Sequence, residues 1–392
     1  MTFETPDLPP APPRHFCTDC GVSRTAAPKR CGQACQFIQP DYPALEVAVH
    51  GRSRRLPRPG QQADDELFFG PHQRMLQAAL AQPLAGAQWT GIAMAPHPDD
   101  PWRPMPVVVT RAEDMAGCRG MRMGYAPLIA LVEPALAQGY KRLAVIGIPC
   151  QIYALRALQP ELEREQGLQK LFVIGTPCSD NTTTERFHEF LSLVSPEPQD
   201  VTYLEFRADY HVEIRMRSGE VKALPFLSLP LSQLPPDFFP MTCRTCVDYT
   251  NVLSDITVGY MGGQGQQWLL VRNDRGQQLL ELLGDEVLLK PPGSAGNRVG
   301  AVKGFLKNVE LAAGGLPLRR MPNWLRPIVS WLMPRIGPRG LEFARARVEM
   351  KALETMVHLR REEPARIKTM VPEHVIHLVR PYGLGSTQDK PD

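Results

Sequence analysis

No stretch of this chain is apolar for long enough to cross a membrane. Its longest apolar runs, such as Leu143 to Ile148 and Leu325 to Met333, fall well short of the ~18 residues a spanning helix needs. An excess of one charge is also missing: 44 basic against 41 acidic residues leave +3, too even for nucleic acid to be the principal ligand. Met1 to Arg14 carries acids and prolines in place of the basic start and apolar run of a signal peptide, which predicts a cytoplasmic protein. With 43% hydrophobic and 22% charged residues, the composition excludes collagen, coiled coil and disorder. What is plentiful is proline, 40 of 392 residues, about twice ordinary usage, so long uninterrupted helices should be few. The length favours two domains, or one large domain with appendages. Nine cysteines in a reducing compartment are poor candidates for disulfides, and clustering would point to metal or redox chemistry.

The cysteines are clustered at the start, from Cys17 to Cys35, in what reads as a small metal-organised lobe. A loop follows with Arg52, Arg54, Arg55 and Arg58 among prolines and glycines. Asp65 to Ala81 has helical periodicity, and Val107 to Thr110 is β-branched enough to predict a strand. The centre of the chain holds an echo. Leu143 to Gly147 reads as a buried strand ending in Gly147-Ile148-Pro149-Cys150, with a helix over Gln151 to Leu158. Leu171 to Gly175 repeats it, ending in Gly175-Thr176-Pro177-Cys178 before a Thr-capped helix from about Thr183 to Leu193. Two such units predict parallel strands with right-handed crossovers. Both cysteines would then lie just beyond strand carboxyl ends, where open α/β sheets bind ligands. Val201 to Arg207, Val212 to Arg217 and Val221 to Leu224 predict an antiparallel meander. Asp255 to Gly259 reads as a strand entering a glycine-rich loop through Gly265, and Pro291 to Gly300 as a linker. The fold class is therefore α/β, a mixed sheet with tandem parallel strand-turn-helix units, an antiparallel meander and an N-terminal cysteine lobe.

Cys17-x-x-Cys20, ten residues, then Cys31-x-x-x-Cys35 supplies four thiolates, which suit tetrahedral zinc or a cubane iron–sulfur cluster equally. Cys150, Cys178 and the pair Cys243-x-x-Cys246 form a dispersed second set. Adjacent strands lie ~4.8 Å apart, so cysteines after equivalent strands can share one site; packed prolyl-cysteine turns are the plain alternative. Cys118 has no partner spacing and reads as a core or free thiol. Gly259, Gly262 and Gly263 suit either a backbone approach to phosphate or a simple turn. Gly86, Gln88, Trp89 and Thr90, closing at Gly91, suit a flavin or a surface turn. Tyr125, Asp180 and His188 stand at strand-edge positions where a proton donor or a structural side chain would sit. Trp324 to Ile336 mixes apolar residues with Arg326 and Arg335 and reads as a buried helix or a peripheral membrane contact.

These motifs occur in a familiar order: Cys17-Thr-Asp-Cys20-Gly21, Ala34-Cys35, Asp65-Glu66-Leu67 with Phe69-Gly70, Gly86 to Gly91, Gly147-Ile-Pro-Cys150-Gln151, Gly175-Thr-Pro-Cys178, Cys243-x-x-Cys246-x-Asp248-Tyr249-Thr250-Asn251, Gly259-Tyr260-Met261-Gly262, and Gly337-Pro-Arg-Gly-Leu-Glu-Phe-Ala344. From Cys17 to about Arg360 the chain resembles the ferredoxin-dependent divinyl chlorophyllide 8-vinyl reductases and their sister enzyme, 7-hydroxymethyl chlorophyll a reductase. Both lie within the wider family of deazaflavin-reducing hydrogenase and dehydrogenase beta subunits. The resemblance implies FAD, two [4Fe-4S] clusters, reduced ferredoxin as electron donor and a chlorophyll precursor as substrate. It assigns Cys17, Cys20, Cys31 and Cys35 to one cluster and Cys150, Cys178, Cys243 and Cys246 to the other. It divides the chain into an iron–sulfur lobe with the basic loop (1–60), a flavin and iron–sulfur catalytic domain (61–290) and a helical region with a tail (291–392). The arginine loop is then the expected docking surface for an acidic ferredoxin. Two departures stand out. Ser23 occupies the place of a cysteine in related plant enzymes, which leaves Cys31 to supply the thiolate, and the segment after Gly91 is shorter than in relatives by a helix and a strand.

Overall fold

In the computed structural model the described residues are 16–58, 61–80, 90–207, 209–260, 267–312 and 321–385. An eight-stranded sheet is built from β1 (Arg74–Leu80), β2 (Thr90–His97), β3 (Asp100–Val109), β4 (Arg142–Gly147), β5 (Lys170–Gly175), β9 (Ile256–Tyr260), β10 (Gln267–Val271) and β11 (Val287–Lys290). The strands run in the order β11-β1-β10-β9-β5-β4-β2-β3. Four neighbours, β9, β5, β4 and β2, pair in parallel, and antiparallel strands flank them on both sides. The expected meander forms a separate three-stranded sheet of β6 (Val201–Phe206), β7 (His211–Met216) and β8 (Val221–Pro225).

The two strand-turn-helix units fold as the sequence pattern predicts. β4 leads into the helix Pro149–Glu165 and β5 into Thr184–Val194, where the Thr183 side chain accepts a hydrogen bond from Arg186 N–H. Leu143, Val145, Leu171 and Val173 from the parallel strands bury against Ile152, Leu155 and Leu158 of the first helix. A second core gathers Phe69, Trp268 and Leu270 against the long helix Leu341–Glu362. That helix is proline-free over its 22 residues, so abundant proline did not prevent one long helix.

Two expectations are corrected. Asp65 to Ala81 is not one helix: a short helix, Asp65–Phe69, is capped by Asp64 and ends at Gly70, after which the chain extends into β1. Gly70 has a positive φ of 71°, and a Cβ there would lie 2.0 Å from Val252 Cγ2. Met75, Leu76 and Ala78 favour helix locally, but pairing of β1 with both β10 and β11 outweighs that preference. Pro291 to Gly300 is not a plain linker either, since Ser294–Ala295 pairs with Arg339–Gly340 and a helix starts at Arg298. Among the described residues no helix is long and apolar enough to cross a membrane.

Candidate functional site

Strand register assembles the second cysteine set. Gly147 and Gly175 are direct partners in the β4/β5 ladder, and Cys150 and Cys178 each follow three residues later. Neither glycine has room for a side chain: a Cβ on Gly147 would lie 2.9 Å from Leu128 Cδ2, and one on Gly175 2.7 Å from Asn251 Cγ. Asn251, at a positive φ of 58°, clamps the two strand ends. Its Nδ2 donates to the Gly147 carbonyl at 2.7 Å and to the Thr176 carbonyl at 3.3 Å. In the same loop the Tyr249 carbonyl accepts from the Cys178 N–H at 3.0 Å. Cys243 comes from the short helix Met241–Arg244 and Cys246 from the turn after it. Cys150, Cys178, Cys243 and Cys246 line one cavity with Thr18, Tyr125, Asp180 and Asn181.

The cavity disfavours uncompensated thiolates. Burial pushes the Cys243 thiol up to about 12 and Cys246 up to about 11. Burial also raises Cys150 and Cys178 well above the ordinary thiol range, and repulsion within the set adds to it. A cationic group bound among them would reverse this balance, because a thiolate is stabilised by the metal it ligates. One cation is already present: Lys351 of the long helix, 2% exposed in its side chain, donates from Nζ to Asp180 Oδ1 at 2.8 Å, Glu354 Oε2 at 2.9 Å and the Cys243 carbonyl at 2.7 Å. Burial works against its charge, but Asp180 and Glu354 outweigh burial and hold its pKa above the usual lysine value. The hydroxyls of Tyr125 and Thr242 are buried without a hydrogen-bond partner of normal geometry among the described residues.

The first set also converges. Burial pushes the Cys20 thiol up to about 12, with further repulsion from Cys35, Cys31 and Cys17, so Cys31 stands with the other three. Ser23 lies in the single turn Val22–Arg24. Asp19 N–H donates to Cys17 Sγ at 3.3 Å. The two sets are neighbours, an arrangement sequence spacing did not reveal. Thr18 lines the cavity of the second set, Gln36 Nε2 donates to Cys246 Sγ at 3.6 Å, and Cys35, Cys150 and Cys246 all pack against Phe37, Met241, Leu359 and Met370. As placed, no three His, Cys, Asp or Glu side chains among the described residues close on a single metal ion.

The remaining expected residues divide. Tyr125 and Asp180 reach the cavity, whereas His188 pairs with Asp100 at 2.9 Å on an exposed face and does not line it. Gly86, Gln88, Trp89, Gly262 and Gly263 lie outside the described residues. Thr90 begins β2, paired with Leu143. Gly259 has a packing reason to be glycine, since a Cβ there would lie 2.4 Å from the Pro177 ring. Cys118 ends a short 3-10 segment, half-buried. Lys351, Asn251 and Gln36 were missed as site residues; a lone lysine in a helical pattern carries no sequence signal, though Asn251 stood inside a recognised motif.

Carboxylates pair with much of the charge of the arginine loop, although Arg52, Arg55 and Arg58 remain exposed. Arg54 Nε lies 2.8 Å from Glu46 Oε1, and both side chains are buried. Arg52 Nη1 donates to Glu66 at 2.8 Å, and Arg55 lies 3.2 Å from both Asp64 and Glu66. Burial opposes ionisation of Glu66, yet Arg52 and Arg55 hold its pKa down at about 2. Arg54→Glu should therefore set two carboxylates together in a closed site and cost about 3–5 kcal/mol, read as a lower urea midpoint. Arg58→Glu, on an exposed side chain, should stay within about 0.5 kcal/mol of wild type. Equal midpoints for the two variants would show that the buried Arg54–Glu46 pair carries no such weight.

Comparison with known proteins places this arrangement. Residues 140–291 match the C-terminal part, and residues 91–133 the N-terminal part, of the family described as the beta subunit of coenzyme F420 hydrogenase/dehydrogenase. The chain is 36% identical to an uncharacterised protein of Nostoc sp. (strain PCC 7120), covering 95% of both. It is 33% identical to the chloroplastic 7-hydroxymethyl chlorophyll a reductase of Oryza sativa subsp. japonica, over 96% of this chain and 85% of that one. The fold is shared with a chain of the F420-reducing [NiFe] hydrogenase complex from Methanosarcina barkeri, with a TM-score of 0.53 at 19% identity, covering 76% of this chain and 96% of the other. The mixed sheet that carries the paired Gly-x-Pro-Cys turns is thus a shared one, and the chain belongs to the coenzyme F420 hydrogenase/dehydrogenase beta-subunit family.

Proposed function

We propose that this protein is a reductase that converts the 8-vinyl group of a divinyl chlorophyllide or protochlorophyllide to ethyl, taking electrons one at a time from reduced ferredoxin. What carries the reading is the convergence of Cys150, Cys178, Cys243 and Cys246 on one cavity at the carboxyl edge of the parallel strands, beside the Cys17 to Cys35 set. The relatives named as reductases and dehydrogenases support an oxidoreductase, and the order of motifs along the chain supports a chlorophyll-type pigment as its substrate.

Each set supplies the four thiolates a cubane takes. When bound, two [4Fe-4S] clusters would accept and pass single electrons. The chain's own part is to hold and insulate. Asn251 fixes the two strand ends, Lys351 sets a buried positive charge beside the second set, and Phe37, Met241, Leu359 and Met370 keep water from the space between the sets. Saturating a vinyl group takes two electrons and two protons. Tyr125, whose buried hydroxyl lines the cavity, is the proposed local proton source.

The test is anaerobic turnover of purified protein with reduced ferredoxin, offered both a divinyl pigment and 7-hydroxymethyl chlorophyll a. Loss of the vinyl signature by mass and absorbance is expected, with flavin released on heating if FAD is bound. Turnover of the 7-hydroxymethyl pigment alone would overturn the 8-vinyl assignment and keep the reductase.

A further inference from the structure

The helix Leu325–Ile336 is inside out. An amphipathic helix on a soluble protein normally turns its apolar stripe inward. Here the buried positions are polar: Arg326 Nη1 donates to the Leu229 carbonyl at 2.8 Å, and Ser330 Oγ meets Ser228 Oγ at 2.9 Å. The outward positions are large and apolar, with Trp324 71%, Ile328 53%, Trp331 61% and Ile336 51% exposed. Trp324, Ile328 and Trp331 follow at i, i+4 and i+7, which makes them one stripe rather than scattered surface residues. Of the two readings the sequence left open for this segment, a fully buried helix is the one these exposures do not fit. Pro327 costs the helix nothing, because it falls in the first turn where N–H groups have no intrahelical acceptor.

We propose that this stripe docks on an anionic lipid surface. The charge along it is one-sided: from Met321 to Leu341 the sequence has no aspartate or glutamate, and while Arg326 turns inward, Arg335 and Arg339 are exposed. Arg335 lies on the exposed stripe with its guanidinium 4.2 Å from the Trp331 ring, which holds a cation at the level where indole rings settle in a headgroup region. Such a helix lies in the interface plane with its apolar face buried ~5–10 Å, and it binds by apolar area plus attraction to anionic lipid. A second copy of the chain fits the face less well. Twelve residues make a helix about 18 Å long and ~10 Å wide, far below the ~800 Å² per partner of a stable protein interface. This docking stands on the helix alone and is independent of the reaction proposed above.

The full chain should float with phosphatidylcholine vesicles containing phosphatidylglycerol and float less with phosphatidylcholine alone, and salt should narrow the difference. The double variant Trp324→Ser, Trp331→Ser should lose about tenfold or more in partition to the mixed vesicles. Both indoles are solvent-facing, so the fold is retained, which circular dichroism checks. Leu288→Ser, at another exposed apolar position, should partition like wild type. A chain that stays out of both vesicle types, or a double variant that floats as well as wild type, overturns the proposal. So does a double variant that changes only sedimentation mass, which would make the stripe a contact between copies.

Discussion

Replacing Cys178 by serine should remove about half of the iron from anaerobically purified protein, from about eight atoms to about four, since each cubane takes four irons and four thiolates. Cys178 lines the shared cavity, and its thiol interacts most strongly with Cys243 and Cys246. Cys118, which belongs to neither set, is not placed to substitute for it: it lies on the separate segment Ala112–Cys118 and interacts with Arg122 and Asp114. Cys118→Ser should therefore keep the full iron content and the brown colour. Cys31→Ser makes the complementary case. It should also lose about half, because Cys31 stands with Cys17, Cys20 and Cys35 around the first site. Because the sets are neighbours, losing one could loosen the other, so the spectra should be recorded alongside the iron analysis. Equal iron loss in Cys118→Ser and Cys178→Ser would defeat the assignment of the second set.

Those four thiols were legible in the sequence because their placement follows from local rules. A buried strand ending in Gly-x-Pro-Cys, repeated 28 residues later, specifies neighbouring parallel strands through hydrophobic pattern and crossover handedness alone, and the register Gly147 to Gly175 is the outcome. The meander was legible for the same reason. What was hidden depends on contacts distant in sequence. β1 looked helical because its partners, β10 and β11, lie some 190 residues or more downstream. Arg54 looked like a free charge because Glu46, eight residues earlier, gives no sign that it folds back as a buried partner. For the helix at Trp324 the sequence left two readings open, buried or peripheral to a membrane, because composition does not say which face turns outward.

A large loss of stability is expected from Asp255→Ala. Asp255 stands just before β9, fully buried, and joins three segments. Its Oδ1 accepts from Arg156 Nη2 at 2.8 Å, Arg275 Nε at 2.8 Å and Asn273 Nδ2 at 2.9 Å, and its Oδ2 accepts from Val173 N–H at 2.8 Å. Arg156 belongs to the helix that begins at Pro149-Cys150, and Val173 to the strand that leads to Cys178. Truncation leaves the Arg156 guanidinium buried without its counter-charge, and breaking a buried pair in this way costs about 3–5 kcal/mol, a large part of the roughly 5–15 kcal/mol a domain has. Burial raises the Asp255 pKa, but Arg156, Arg275, Asn273 and the Val173 N–H together outweigh it and hold the group below its ordinary value. A carboxyl depressed in the folded state contributes stability that is complete above its unfolded pKa of ~3.9 and is lost as pH falls through the lower folded value. Asp255→Asn, which keeps the shape and removes the charge, should therefore be less stable than wild type by a constant margin above about pH 5 and converge on it below about pH 4. Urea unfolding across that range reads the margin. The same variants should retain less iron in the second site, because Asp255 ties together the helix and strand that present Cys150 and Cys178. A margin that persists unchanged to pH 3 would show that hydrogen-bond geometry, and not the charge on Asp255, joins these segments.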